Sequence, residues 1–409
     1  MRPARRRSEL LLAIGIVAAM SASACGDSAP DASLVTIRDS AGVRITETPG
    51  DPWTTEPRWR LSPGPVARIG AVAGDPPYQF DEVVDIAILN DGRIVVANRG
   101  SGAIRWFDPQ GIFLFERGRA GSGPGEFRHL RTLTVGADDS VVAFDPVERR
   151  MTWFAKDGVL GPTVRIARFP SSTTSWTADR LASGSWVIGR TGISSPDLPP
   201  QARTGIVRPT APMLVVSPDG ARTDTLGVFP GMDIEVASAL DGRRWGPARF
   251  GKRLSYAVSG DYIYVGTADR TEVEVFTADG KLVRSIRAPE VDVAMTPERE
   301  SEYKSFLRAR SSRDRAELER TIAALILPPT VPAYNSLMVD ATGHLWLAEY
   351  RYDLTPARRY VVFDPDGRFV SVVEVPERFT VRTITRDQVW GVATDSLDVE
   401  YVIGYTIGR

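Results

Sequence analysis

The chain has 409 residues, and its 50 Lys and Arg stand against 51 Asp and Glu. That balance leaves no global positive field for nucleic acid. A single cysteine rules out an internal disulfide or a cysteine-based metal set.

The charge is uneven at the start. Arg2, Arg5, Arg6 and Arg7 precede an apolar stretch from Leu10 to Met20, and the small residues Ser21, Ala22, Ser23 and Ala24 lead into Cys25. This is the order of a secretory signal, and the apolar stretch is too short to span a bilayer. Cys25 after Ala22-Ser23-Ala24 resembles a lipobox, although Ala22 stands where Leu is usual. That resemblance implies a lipidated first residue of the mature protein. Residues 1–24 are expected to be a signal peptide, and residues 25–34 the lipidated Cys25 and a flexible tether. Removing residues 1–24 takes away four Arg and one Glu, leaving 46 basic against 50 acidic groups, a net of −4.

Downstream, short β-rich runs alternate with Asp and Gly turns, and a repeat is visible. Phe80 and Phe127 close similar segments 47 residues apart, and Arg105-Trp106-Phe107 returns as Thr152-Trp153-Phe154 at the same offset. Within a unit, Ile94 and Phe107, Val141 and Phe154, Ile263 and Phe276, and Val389 and Val402 keep a spacing of 13. Leu345 and Phe363 are 18 apart, the same pattern with an insertion. Asp108-Pro109-Gln110-Gly111, Asp157-Gly158, Asp219-Gly220, Asp279-Gly280 and Asp366-Gly367 supply residues that tolerate positive φ in hairpin turns.

A period near 47 with four strands is a propeller blade. Inner strands are placed near 83–89, 130–136, 175–181, 253–258, 336–340 and 380–385. The fold class is all-β: a six-bladed β-propeller of four-stranded blades over residues 35–409. The sixth blade has three strands, and a strand from within Trp59–Ile69 would complete it and close the ring. A helical insertion at about 296–327, between blades four and five, starts at Thr296-Pro297-Glu298. Tyr303, Phe306 and Leu307, then Leu318, Ile322 and Leu325, follow helical spacing.

Gly121-Ser122-Gly123-Pro124-Gly125-Glu126-Phe127, followed by a strand, Asp139, a β-run to Asp145 and Trp153-Phe154, resembles the NHL-repeat type of six-bladed propeller. In particular it is similar to bacterial lipoprotein propellers of the TolB-like group. The likeness implies a fold far more than an activity.

Connections from second to third strands, and from blade to blade, emerge on one face of such a ring. The insertions at 191–211 and 288–335, the Gly-Pro-Gly-Glu loop and residues 227–252 therefore crowd that face, where loops on a rigid scaffold carry function. Arg99, Arg128, His129, Arg131, Arg270, Arg351 and Tyr352 map near its rim and suit an acidic peptide or glycan, because a guanidinium fork grips carboxylates. The leading expectation is a cell-envelope lipoprotein, periplasmic or on the cell surface, that binds or scaffolds an envelope protein, peptide or glycan. It would meet the membrane through its lipid, with no cofactor and no nucleic acid.

The alternative is a metal-assisted hydrolase or lactonase of the gluconolactonase-like type. Asn98, Asp145, Asp269, Glu349 and Asp395 would then offer oxygen ligands to Ca²⁺ or Mg²⁺. His129 and His344 fall on opposite faces, and no HExxH or GxSxG motif occurs, so no catalytic residues are assigned.

Overall fold

The computed structural model describes residues 35–168, 175–192, 204–239, 242–289, 291–353 and 356–409. The signal segment, Cys25 and the tether lie outside the described residues, as does most of the 191–211 insertion.

Strands β1 (Thr36–Ser40) and β2 (Val43–Glu47) form a hairpin, followed by the short β3 (Arg60–Leu61) and β4 (Ala67–Ile69). The first four-stranded sheet comprises β5 (Val83–Ile88), β6 (Ile94–Asn98), β7 (Ala103–Phe107) and β8 (Phe113–Arg117). The second comprises β9 (Thr132–Val135), β10 (Val141–Asp145), β11 (Arg150–Phe154) and β12 (Leu160–Arg165).

Next come β13 (Trp176–Arg180), β14 (Trp186–Arg190), β15 (Gly205–Val207), β16 (Thr210–Val216) and β17 (Thr223–Pro230). The third sheet runs β13-β14-β16-β17 and leaves β15 out. Instead β15 joins the hairpin of β18 (Ile234–Ala239) and β19 (Gly242–Pro247) in a separate three-stranded sheet. The sequence pattern did not reveal this meeting of two insertions.

The fourth sheet holds β20 (Ser255–Ser259), β21 (Tyr262–Gly266), β22 (Glu272–Thr277) and β23 (Leu282–Arg287). Helices α1 (Pro297–Arg310) and α2 (Arg315–Ala323) fall inside the expected insertion, with Thr296 Oγ1 accepting from the Arg299 N–H at the start of α1. The fifth sheet holds β24 (Ser336–Val339), β25 (Leu345–Ala348), β26 (Arg358–Phe363) and β27 (Phe369–Val375). Finally β28 (Phe379–Ile384), β29 (Gln388–Thr394) and β30 (Glu400–Gly408) form the sixth.

Burial explains why each strand has its composition. Every residue of β6, β7, β10 and β25 is buried, because neighbouring sheets cover both faces. The fourth strands β8 and β12 are largely exposed, and inner strands are half-buried. Successive sheets share apolar clusters. Trp106, Leu133 and Phe154 join the first and second, and Phe144, Trp176 and Trp186 the second and third. In the same way Ile86 and Phe107 of the first sheet meet Trp390 and Val402 of the sixth. This is a β-propeller-like fold.

The hairpin glycines Gly111, Gly158, Gly220, Gly280 and Gly367 have φ between 73° and 86°. Ile94 pairs with Phe107, Val141 with Phe154, Ile263 with Phe276 and Leu345 with Phe363, as their spacings imply. The sixth sheet differs: Val389 faces Tyr405, and Val402 faces Val392, because β29 and β30 are longer and shift the pairing.

The segment Trp59–Ile69 does pair with β30. Leu61 lies opposite Ile407 and Ile69 opposite Val402. The β1–β2 hairpin, absent from the sequence reading, adds to the fourth sheet through a parallel β2–β23 pairing. Ile69 is 1% exposed against Trp390 and Val402, whereas Ile37 on β1 is 41% exposed. Ile69→Ala is therefore expected to cost roughly 2–5 kcal/mol in urea unfolding and Ile37→Ala less than about 0.5 kcal/mol.

Candidate functional site

The inner strands surround a polar cavity of about 860 Å³. Its wall carries charges that inner strands in a closed core would not hold: Asp85 on β5, Asp179 on β13 and Arg382 on β28, with Arg131 and Arg253 just before β9 and β20. Each charged side chain alternates with a neighbour turned into the sheet stack, as the period of two requires. Ile86 is buried beside Asp85, and Ala178 beside Asp179.

The carboxylates also tie neighbouring sheets together. Asp85 accepts the N–H of Leu133 at 2.8 Å and of Ile86 at 2.9 Å. Asp179 accepts from Arg180 N–H at 2.8 Å and also from the Val258 backbone. Thr132 Oγ1 donates to the Ala178 carbonyl at 3.1 Å, and Arg382 to the Val83 carbonyl at 3.2 Å. Tyr256 donates to the Thr177 carbonyl at 2.7 Å. Its ring passes so close to Gly189 that a Cβ there would lie 2.4 Å from it, so a larger residue on β14 would displace the ring. Burial pushes the Asp85 carboxyl up to about 6; burial and then the charge of Asp85 push Asp179 up to about 7.

The positive groups are less well matched. Arg131 Nε is buried with no hydrogen-bond partner, and so is Arg382 Nε. Among the described residues the Arg131 guanidinium has no ion pair. Burial pushes its pKa down, and the like charges of Arg99 and Arg382 push it further. Arg253 is also pushed down by the surrounding walls. A guanidinium without an ion pair on a cavity wall fits an incoming anion, because the new pair forms without breaking an existing one.

The rim residues read from the sequence fall into separate neighbourhoods. Arg99 pairs with Glu82 at 2.8 Å, and its Nη1 lies 3.4 Å from His129 Nε2. Burial and then the charges of Arg99 and Arg131 push the His129 imidazole below its ordinary pKa, so these three stand together. Arg128 pairs with Glu148 at 3.8 Å. Arg351 pairs with Glu349 at 3.0 Å, and Tyr352 packs on Phe250, Tyr303 and Phe306 beside it. Arg270 is exposed in the turn between β21 and β22. His344 stands elsewhere, 2.8 Å from Thr342 Oγ1.

The oxygen-bearing candidates are engaged locally. Asn98 accepts from Asp81 N–H and donates to Ser101 Oγ. Asp145 accepts four backbone N–H groups, from Arg128, His129, Val147 and Glu148, and so fixes the loop that carries His129. Asp269 takes Arg208 through both oxygens and also pairs with Lys252. Asp395 accepts from Leu397 and Val399 N–H and from the Tyr401 hydroxyl. Among the described residues no group of three or more His, Cys, Asp or Glu is placed to hold a metal ion.

Asp85, Asp179, Arg253, Tyr256 and Arg382 were missed by the sequence reading, which searched loop ends. A signal was present for Asp85, a lone charge inside the apolar inner strand Val-Val-Asp-Ile-Ala-Ile; Asp179 in Trp-Thr-Ala-Asp-Arg stands beside a second charge and was less marked.

No family model matches the chain, and no curated protein matches its sequence. Among solved structures, a member of the duf4221 family from Bacteroides vulgatus is similar with a TM-score of 0.51 at 9% identity, covering 86% of this chain and 99% of that one. A protein from Bacteroides fragilis gives 0.47 at 12% identity, covering 89% and 99%. A gluconolactonase from Xanthomonas campestris gives 0.41 at 11%, covering 84% and 99%. These likenesses concern the fold.

A carboxyl whose folded pKa lies above its unfolded value binds its proton more tightly when folded, so its contribution to stability falls as pH rises from about 4 to about 7. Asp179→Asn removes that liability. Its melting temperature relative to the parent should climb between pH 5 and pH 8, measured by thermal unfolding; a flat difference would mean that the Asp179 carboxyl titrates normally.

Proposed function

We propose that the chain is an exported lipoprotein, acylated at Cys25, whose six sheets are the blades of a closed propeller ring of the NHL or TolB-like type. Its role is to bind an acidic peptide or glycan of the cell envelope through the loop-rich face, at the mouth of the central channel. The observation that carries this reading is Arg131. Its Nε is buried without a partner, and the like charges of Arg99 and Arg382 each act on it more strongly than the opposite charge of Asp85.

Sequence supports the anchor through the Arg-rich start, the Leu10–Met20 stretch and the small residues before Cys25. No helix among the described residues is long and apolar enough to cross a membrane. In this reading attachment to the membrane is through lipid.

Not all of the rim arginines serve the site equally. Arg99, Arg128 and Arg351 already have carboxylate partners, so an incoming anion must compete for them. Arg131 has no such partner, and Arg253 opens onto the same channel. A carboxylate seated there gains a charge-assisted hydrogen bond without displacing a carboxylate already in place.

Binding of a Glu-rich peptide and of oligogalacturonate to the immobilised mature protein tests this. Arg131→Ala should weaken at least one of them about tenfold or more, and Arg128→Ala less than about threefold. The melting temperature of Arg131→Ala should hold or rise, since a like charge is removed. Undiminished binding of both probes in Arg131→Ala would reject the channel mouth as the site.

A further inference from the structure

A second cavity, of about 290 Å³, lies beside the helical insertion and shares no lining residue with the channel. Trp53, Phe250, Tyr350 and Tyr352 supply its aromatic lining. The Phe250 ring stands 5.6 Å from Tyr352 at 61° and 6.3 Å from Tyr350 at 50°, so it is inclined to both rather than stacked on either. From behind, Tyr303 and Phe306 of α1 brace Tyr352 at 5.3 and 5.2 Å.

The charged lining is acidic. Asp292, Glu302 and Glu349 face the cavity against the single guanidinium of Arg299. Arg299 sits 3.9 Å from Asp292, and Arg351, outside the lining, holds Glu349 at 3.0 Å. Glu302 on α1 is exposed at the cavity's edge, with no hydrogen bond or ion pair among the described residues. Its charge nevertheless reaches Tyr352, adding to the burial that raises that phenol's pKa.

We propose that this cavity binds an organic cation, a substituted ammonium group on a small ligand or at the end of a side chain. Ring faces carry negative quadrupole charge and attract a cation within about 6 Å of the ring centroid. An alkylated ammonium gives up little hydration on entering an apolar enclosure, and the solvent-exposed Glu302 carboxylate supplies a countercharge at its edge. Neither an anion nor a neutral alkyl group would use both features. The ligand class is opposite in charge to the one assigned to the channel, so the two sites stand or fall separately.

Choline and its neutral isostere 3,3-dimethylbutan-1-ol are the probes, titrated calorimetrically into the purified mature protein. Choline is expected to bind at roughly millimolar affinity or better, with the isostere at least about tenfold weaker. Glu302→Gln and Tyr352→Leu should each weaken choline at least about threefold at an unchanged melting temperature. Arg131→Ala should leave choline binding intact, which separates this site from the channel. No choline binding up to tens of millimolar, equal affinity for the isostere, or indifference to both cavity variants would each overturn the proposal.

Discussion

Everything in this molecule depends on covering both faces of the middle strands. A strand such as Ile94–Asn98 is buried along its whole length, and burial of that kind requires a sheet on each side. One sheet therefore cannot stand alone, and the stack extends until no apolar face is left. Trp106, Trp186 and Trp346 fill the gaps between sheets, and each is at most 1% exposed. The β3 and β4 strands belong to the same solution. They occupy the outer edge of β30, which would otherwise offer unpaired backbone groups to other chains.

The same constraint decides where chemistry can be placed. Inner strands pack on one another only through alternate residues, so the remaining residues point at a shared cavity and are free to be polar. Asp85 and Asp179 show how far that freedom goes: each carboxylate accepts a backbone N–H from the next sheet, so a cavity-facing charge is also a fastener. The connections on one face are free in a different sense. They have no packing partner in the repeat, and here they have been used to build a three-stranded sheet, two helices and an aromatic cluster.

Much of the architecture was legible because the repeat is a physical period. Strand length, Gly at positive φ and the 13-residue spacing all follow from one hairpin geometry, and most of the spacings reappear as cross-strand pairs. Where the period was broken, legibility ended. The β1–β2 hairpin has a polar, exposed first strand and pairs in parallel with a strand far along the chain, which no local pattern announces. Strands β15, β18 and β19 lie in insertions whose pairing is equally non-local. The site was harder still. Sequence register placed Arg99, His129 and Arg131 on one face, and they do stand together; it could not show that Arg128 and Arg351 form ion pairs while Arg131 forms none among the described residues. Pairing of that kind depends on side-chain reach across sheets, which spacing does not encode.

A stranded guanidinium is a cost that packing alone would not retain. Replacing Arg131 by an apolar residue would relieve its repulsion with Arg99 and Arg382 and remove an unpartnered Nε, so selection for stability alone should favour the change. The channel thus holds a local instability that a bound anion could relieve, and binding to the folded state alone would return that energy as stability. The aromatic cavity differs, because Glu302 at its rim is exposed and its charge is met by water rather than stranded. The first lies among the inner strands of the repeat and the second among connections outside it, so a change in one can leave the other untouched.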